Sequence, residues 1–222
     1  MTAAREGGST MTVVCRLLAV AVLVLGAHAG AGAQASAFQV AFQTFAPAAP
    51  VQVQIRTTAP TDLAVDAIPV SVTDVIAIRR HSNTVRLDEL RAKPVRTVRD
   101  GVHPDLERGL LHDVRIGTLP RGYYVLAIHA GNGAGAQVVD VTSLGVLATR
   151  TPRGTVAFAV DLQTMHARTD VTVERYAPAA HTPQTQRVGG DGTASFDEDS
   201  AAVAAGPALF VARGADGSAA VA

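Results

Sequence analysis

Residues 119–131 read LPRGYYVLAIHAG, from Leu119 to Gly131. Pro120 fixes its own φ and removes a backbone donor, and Gly122 tolerates angles closed to other residues, so the chain turns sharply here. Beyond the corner, Tyr124, Leu126 and Ile128 face one way, while Tyr123, Val125, Ala127 and His129 face the other. That period of two is the mark of a strand. The glycine-rich AGNGAGA (130–136) then supplies a flexible hairpin tip before the next strand. A tyrosine just past such a corner can hydrogen-bond back to the backbone it has left and pin the turn, as in immunoglobulin-like sandwiches.

The rest of the chain carries the same pattern. In VQVQIRT, Val51, Val53 and Ile55 share one face, with Gln52, Gln54 and Arg56 on the other. FQVAFQTF places Phe38, Val40 and Phe42 together. Further strands are predicted at 63–72, 95–100, 112–119, 136–149, 155–162, 170–176, 193–196 and 208–213, and only RLDELRA (86–92) reads as helical. Many short strands with Gly/Pro turns between them predict an all-β fold of two consecutive antiparallel sandwiches. The first spans 38–140 and the second 141–222, with a boundary near Asp140 to Ser143 and a short, semi-rigid junction.

The N-terminus is read as a signal peptide over 1–35. Arg16 precedes LLAVAVLVLG (17–26), an apolar run too short to anchor in a bilayer, and AGA and AQA at 31–35 offer small-residue cleavage sites. The only cysteine, Cys15, lies before the apolar run, so the mature chain is held by packing rather than disulfides and carries no thiol nucleophile. The expectation is an exported protein, periplasmic, surface-associated or secreted, with no membrane span once the signal is removed.

Composition and spacing exclude several function classes. Lys+Arg and Asp+Glu balance at 19 each, with no basic run interleaved with aromatics, which argues against nucleic-acid binding. The histidines form no HExxH pair. His103, Asp105 and Glu107 read as a solvated loop, His112 as a satisfied core histidine and His129 as outward-facing. GNGAG lacks the Lys-Ser/Thr of a phosphate loop. Asp191, Asp197, Glu198 and Asp199 crowd one end of the second sandwich without the spacing of an EF-hand, and read as a solvated acidic loop. No GxSxG elbow is present. No catalytic residue, cofactor or metal ligand is assigned, and the chain is not read as an enzyme.

In order and spacing, LPRGYYVLAI…VVDVTSLGVLATR…TVAFAVDLQT…DVTV…DGTASF resembles consecutive macroglobulin-type domains of the bacterial alpha-2-macroglobulin family. In that family a leucine-proline-x-glycine-x-tyrosine corner leads through a strand to VTxLG, which opens the next domain. Leu119, Pro120, Gly122 and Tyr124 match the corner, and Val141, Thr142, Leu144 and Gly145 match the opening. Of the following Asp-x-x-Thr-Gly-x-Pro-Val pattern, Asp161 and Thr164 match. Met165 replaces the glycine, Ala167 the proline and Arg168 the valine, and Asp170 stands where a second glycine is usual. A later Thr-Asp-x-Asp-Gly-x-Ala-x-Phe pattern keeps Asp191, Gly192, Ala194 and Phe196, with Val188 and Gly189 at its first two positions.

The resemblance covers 110–222 well and 38–109 in outline. It implies a scaffold portion of a protein that traps or inhibits endopeptidases. The implied partners are further domains of the same polypeptide, for a chain that is a fragment, and target proteases through the full-length protein. The family's Cys-Gly-Glu-Gln thioester motif does not occur in the chain, nor does a bait-like linker. A scaffold portion predicts exposed apolar patches where partner domains would pack. The alternative is a free-standing exported module for adhesion or for carbohydrate or protein binding. A stacking platform for sugars is disfavoured by zero Trp and only nine Tyr and Phe in all.

Overall fold

The computed structural model describes residues 22–24, 37–102, 110–178, 182–197 and 207–222. The first part comprises β1 (Val22–Val24), β2 (Ala37–Gln39), β3 (Phe42–Phe45), β4 (Pro50–Arg56), β5 (Leu63–Val70), α1 (Val72–Arg80), β6 (Thr84–Arg86), β7 (Arg96–Asp100), β8 (Leu111–Thr118), β9 (Gly122–Ala130) and β10 (Gly133–Val141). The second comprises β11 (Leu144–Thr151), β12 (Gly154–Asp161), β13 (Val171–Tyr176), β14 (Gln184–Arg187), β15 (Thr193–Asp197), β16 (Leu209–Gly214) and β17 (Ala219–Val221).

Alternating burial joins these strands into sandwiches. β1-β4-β8 faces the five-stranded sheet β3-β10-β9-β5-β7. Between them lies a core of Val51, Val53, Ile55, Val114 and Ile116 against Val65, Tyr124, Leu126, Ile128 and Val139. Each such side chain, fully withdrawn from water, contributes roughly 1.5–3 kcal/mol. β11-β12-β15 faces β14-β13-β16-β17 across a second core of Leu144, Ala157, Ala159, Ala194 and Phe196 against Val171, Val173, Phe210 and Ala212. There the Phe196 and Phe210 rings meet edge to face, 5.7 Å between centroids. Pairing is antiparallel except for β3 along β10 and β1 along β4. β1, inside the expected leader, lies beside Gln54–Arg56; residues 1–21 and 25–36 of that leader are outside the described residues.

The helix is not where the sequence placed it. RLDELRA has good helix formers, but only Leu87–Glu89 makes a single 3-10 turn, with no side-chain cap at Arg86. The α-helix instead follows β5, whose strand ends at Val70 rather than running to residue 72. Its residues VTDVIAIRR are rich in β-branched side chains, which favour strands. A capping box overrides that preference: Ser71 Oγ accepts from Asp74 N at 3.1 Å, and Asp74 Oδ2 accepts from Ser71 N at 2.8 Å. Similarly, 136–149 is not one strand, because Thr142 and Ser143 break it into β10 and β11.

α1 and the β2–β6 ladder cover the other face of the five-stranded sheet. Val125, Ala136 and Val138 pack there with Val40, Ile78 and Val85, joined by Phe38 and Phe42. β9 is therefore buried on both faces along most of its length. Its end emerges at His129, half exposed and 3.6 Å from Asp66.

Candidate functional site

The corner is built from local chemistry. Leu119 is buried in the first core, and Gly122 adopts φ +142. The Tyr124 hydroxyl donates to the Pro120 carbonyl at 2.9 Å, closing the turn across four residues, and burial pushes that hydroxyl's pKa up. Arg121, at the tip, reaches Asp216 Oδ2 in the β16–β17 turn at 3.2 Å. One corner thus ties the two sandwiches together.

The junction between β10 and β11 is two buried residues long, Thr142 and Ser143. Thr142 N donates to Phe45 O at 3.0 Å, Leu144 N to Thr142 Oγ1 at 3.1 Å, and Leu162 N to Ser143 O at 2.7 Å. Gly145 lies close to β12: a Cβ there would meet Val160 Cγ1 at 3.1 Å and, just past the strand, Leu162 Cδ2 at 2.6 Å.

The two later turns are Asp-capped. Asp161 Oδ1 accepts from the backbone N–H of Thr164 and of Gln163, both at 2.9 Å, and from Thr164 Oγ1 at 3.1 Å. Those bonds hold its carboxyl below the usual carboxylate range. Asp191 Oδ1 does the same for Thr193, accepting from Oγ1 at 2.8 Å and N at 3.0 Å, and Gly192 sits at φ +81. Met165, where the family pattern has glycine, adopts φ +59, a conformation disfavoured for a residue with a Cβ. Arg168 and Asp170, both departures from that pattern, compensate one another. The guanidinium binds both Asp170 oxygens at 2.7 Å, with Asp216 at 3.5 Å and Asp161 at 3.9 Å. Asp216 itself is held at about 2 by the Ser218 hydroxyl and N–H, with Arg168 and Arg121 adding to the effect.

His112 is fully buried and bonded through Nδ1 to Asp100 at 2.7 Å. Among the described residues, no cluster of three His, Cys, Asp or Glu could hold a metal ion. His103, Asp105, Glu107, Glu198 and Asp199 lie outside the described residues. No helix among the described residues is long and apolar enough to cross a membrane.

Two surfaces were not assigned from sequence. The first is the outer face of β11-β12. There Leu147 (66% exposed) stands opposite Phe158 (43%), and Leu162 and Met165 remain exposed just beyond β12. The second lies where α1 meets the second sandwich. Arg79 stacks over Phe42, 3.6 Å from the ring centroid. Tyr123 feels Asp140, Arg213 and Arg79, and its hydroxyl is shifted upward chiefly by burial. Asp140, 8% exposed, is pushed up to about 8 by burial despite the Tyr123 hydroxyl beside it. Arg213 pairs with Glu174 at 3.0 Å, and Tyr176 donates to the other Glu174 oxygen at 2.8 Å. The available sequence signals were an aspartate inside the apolar run QVVDV and an arginine doublet closing a capped segment.

No family model and no curated relative matches the chain. Solved structures do. A crystal structure of native alpha-2-macroglobulin from Escherichia coli spanning domains MG0-NIE-MG1 superposes with TM-score 0.59 at 18% identity, over 78% of this chain. This chain spans 57% of that fragment's length. A second, spanning NIE-MG1, gives TM-score 0.60 at 17% identity over 87% of this chain and 98% of the other. At such identity the likeness is one of fold, and the chain has the fold of bacterial macroglobulin-type, immunoglobulin-like β-sandwich domains.

Proposed function

We propose that this chain is a non-catalytic scaffold portion of an exported alpha-2-macroglobulin-like protein, one that traps or inhibits endopeptidases as a whole molecule. In this reading residues 1–35 are a removable leader, 38–140 and 141–222 are the two sandwiches, and the work of the segment is to pack against neighbouring domains. Besides the shared fold, the observation that supports it most is the uncovered apolar pair Leu147 and Phe158, continued by Leu162 and Met165. Apolar side chains grouped on a sheet's outer face mark a docking surface. The tight two-residue junction and the Arg121–Asp216 bridge suit a segment that transmits geometry rather than one that turns over substrate.

The test is to follow the reading frame past codon 222 and to footprint Leu147 and Phe158 with hydroxyl radicals. A continuing frame of further sandwiches, with both side chains protected in the longer polypeptide, is the expected outcome. A frame that closes there, or equal labelling in short and long chains, overturns the scaffold reading.

A further inference from the structure

The three-stranded sheet of the first sandwich takes its outer strand from the far N-terminal part of the chain. β1 runs parallel to the end of β4, with Val22 opposite Gln54, Leu23 opposite Ile55 and Val24 opposite Arg56. On its other side β4 pairs antiparallel with β8. Among the described residues β4 has ladder partners in β1 and β8 alone, so a chain without residues 1–35 has one bare side to β4. We propose, resting on the reading of 1–35 as a removable leader, that this edge of β4 is a strand-acceptor site. In the unprocessed chain Val22–Val24 holds it, and in the processed chain an extended aliphatic peptide strand takes it, running parallel to β4.

A bare edge at β4 has consequences that one elsewhere would not. A row of unpaired N–H and C=O groups is a template for another strand. β4 also supplies Val51, Val53 and Ile55 to the first core, none of them more than 3% exposed. Fraying of this edge would open that core to water, and an added strand prevents it. The backbone defines where the strand can lie. Pro50 opens β4 without an N–H, and a bulge against β8 falls between Val51 and Gln52. The regular span is therefore 52–56, and β1 occupies its second half.

The segment seated there states the chemistry of the occupant. It is uncharged and aliphatic, Val-Leu-Val, within the run 17–26. From Val51 to Ile55 β4 carries no charge either, and the Gln54 amide is already bonded to Asp113 on β8 at 3.1 Å. Main-chain hydrogen bonds and apolar contact, rather than ion pairs, then supply the affinity, as in strand addition generally. The parallel direction argues against a second copy of this chain. Two copies that continue one sheet across a two-fold axis pair like strands antiparallel.

The test compares the full parent chain with full-length Leu23→Pro, in which proline deprives β1 of a ladder donor. Both are titrated with a fluorescein-labelled Ser-Val-Leu-Val-Leu-Ser peptide, read by fluorescence anisotropy. The variant should bind saturably and about 10-fold or more tightly than the parent, whose own β1 competes as a tethered strand. The same peptide N-methylated at alternate amides keeps its side chains and loses donors, and should bind the variant about 10-fold or more weakly. Hydrogen exchange in the 54–56 segment should quicken in the variant and slow again with the peptide, at an unchanged melting midpoint. No binding to the variant, equal binding by parent and variant, undiminished binding of the N-methylated peptide, or self-association of the variant in place of peptide binding would each overturn the proposal. The mass of the exported chain decides the leader reading separately: retention of residues 1–35 overturns that reading, while the binding of Leu23→Pro decides the edge.

Discussion

The Tyr124 hydroxyl donates to the carbonyl of Pro120 at 2.9 Å, so the strand that leaves the corner fastens the corner it has just left. The ring is buried in the first core while the oxygen does the fastening. Tyr124→Phe keeps the ring and removes only the bond. The expected loss is about 1–2 kcal/mol, since the Pro120 carbonyl gives up its partner. Urea unfolding should show a lower midpoint at unchanged slope; an unchanged midpoint would mean that the bond contributes nothing.

Met165 presents the opposite case, a side chain where the backbone prefers none. It sits at φ +59 and is 71% exposed, so the side chain gains little from packing. Met165→Gly relieves the left-handed strain and gives back part of the gain as unfolded-state entropy. The net stabilisation expected is about 0.5–1 kcal/mol. Met165→Ala, which keeps the Cβ, should gain none of it, and thermal melts of the two variants separate strain from side-chain effects.

Asp140 makes stability depend on pH in an unusual direction. Its carboxyl titrates at about 8 in the folded chain against 3.8 as a free side chain, because burial disfavours the anion. Between those values the folded state keeps a proton that the unfolded state has released. This contribution to stability is full below pH 3.8, falls as pH rises, and has gone above pH 8. Its slope approaches about 1.4 kcal/mol per pH unit at most. Asp140→Asn should flatten the stability profile between pH 5 and 8, within the window that the two values set. Denaturant midpoints measured across that range decide it, and a variant with the parent's slope would show that Asp140 stays ionised.

The same residues explain what the sequence revealed and what it hid. The corner was legible because proline, glycine and tyrosine each impose a local constraint at a fixed offset, and the strands because one face of each meets a core. α1 was not, because Val72, Val75, Ile76 and Ile78 favour strands one by one while the Ser71–Asp74 box decides for the helix. RLDELRA misled for the converse reason, having propensity without a cap. The cluster of Arg79, Tyr123, Asp140 and Arg213 joins α1, β9, β10 and β16, positions far apart in sequence that only the docking of the two sandwiches brings together. Arg168 and Asp170 looked like two unrelated departures from a pattern, and the structure joins them in one bidentate ion pair.

The outer face of β11-β12 separates folding from assembly. Leu147 and Phe158 are directly opposed across the strand pair, yet both point to solvent. An exposed cross-strand pair of this kind contributes about 0.2–1 kcal/mol. The double change Leu147→Thr and Phe158→Thr should therefore cost the 222-residue chain no more than about 1 kcal/mol, and β-branched threonine keeps the strand preference. In a longer polypeptide that covers this face, the same change removes buried apolar area from an interface, about 1.5–3 kcal/mol for each large side chain. Limited proteolysis should then be accelerated by the change more in the long chain than in the short one. Equal acceleration in both would mean that Leu147 and Phe158 face water throughout.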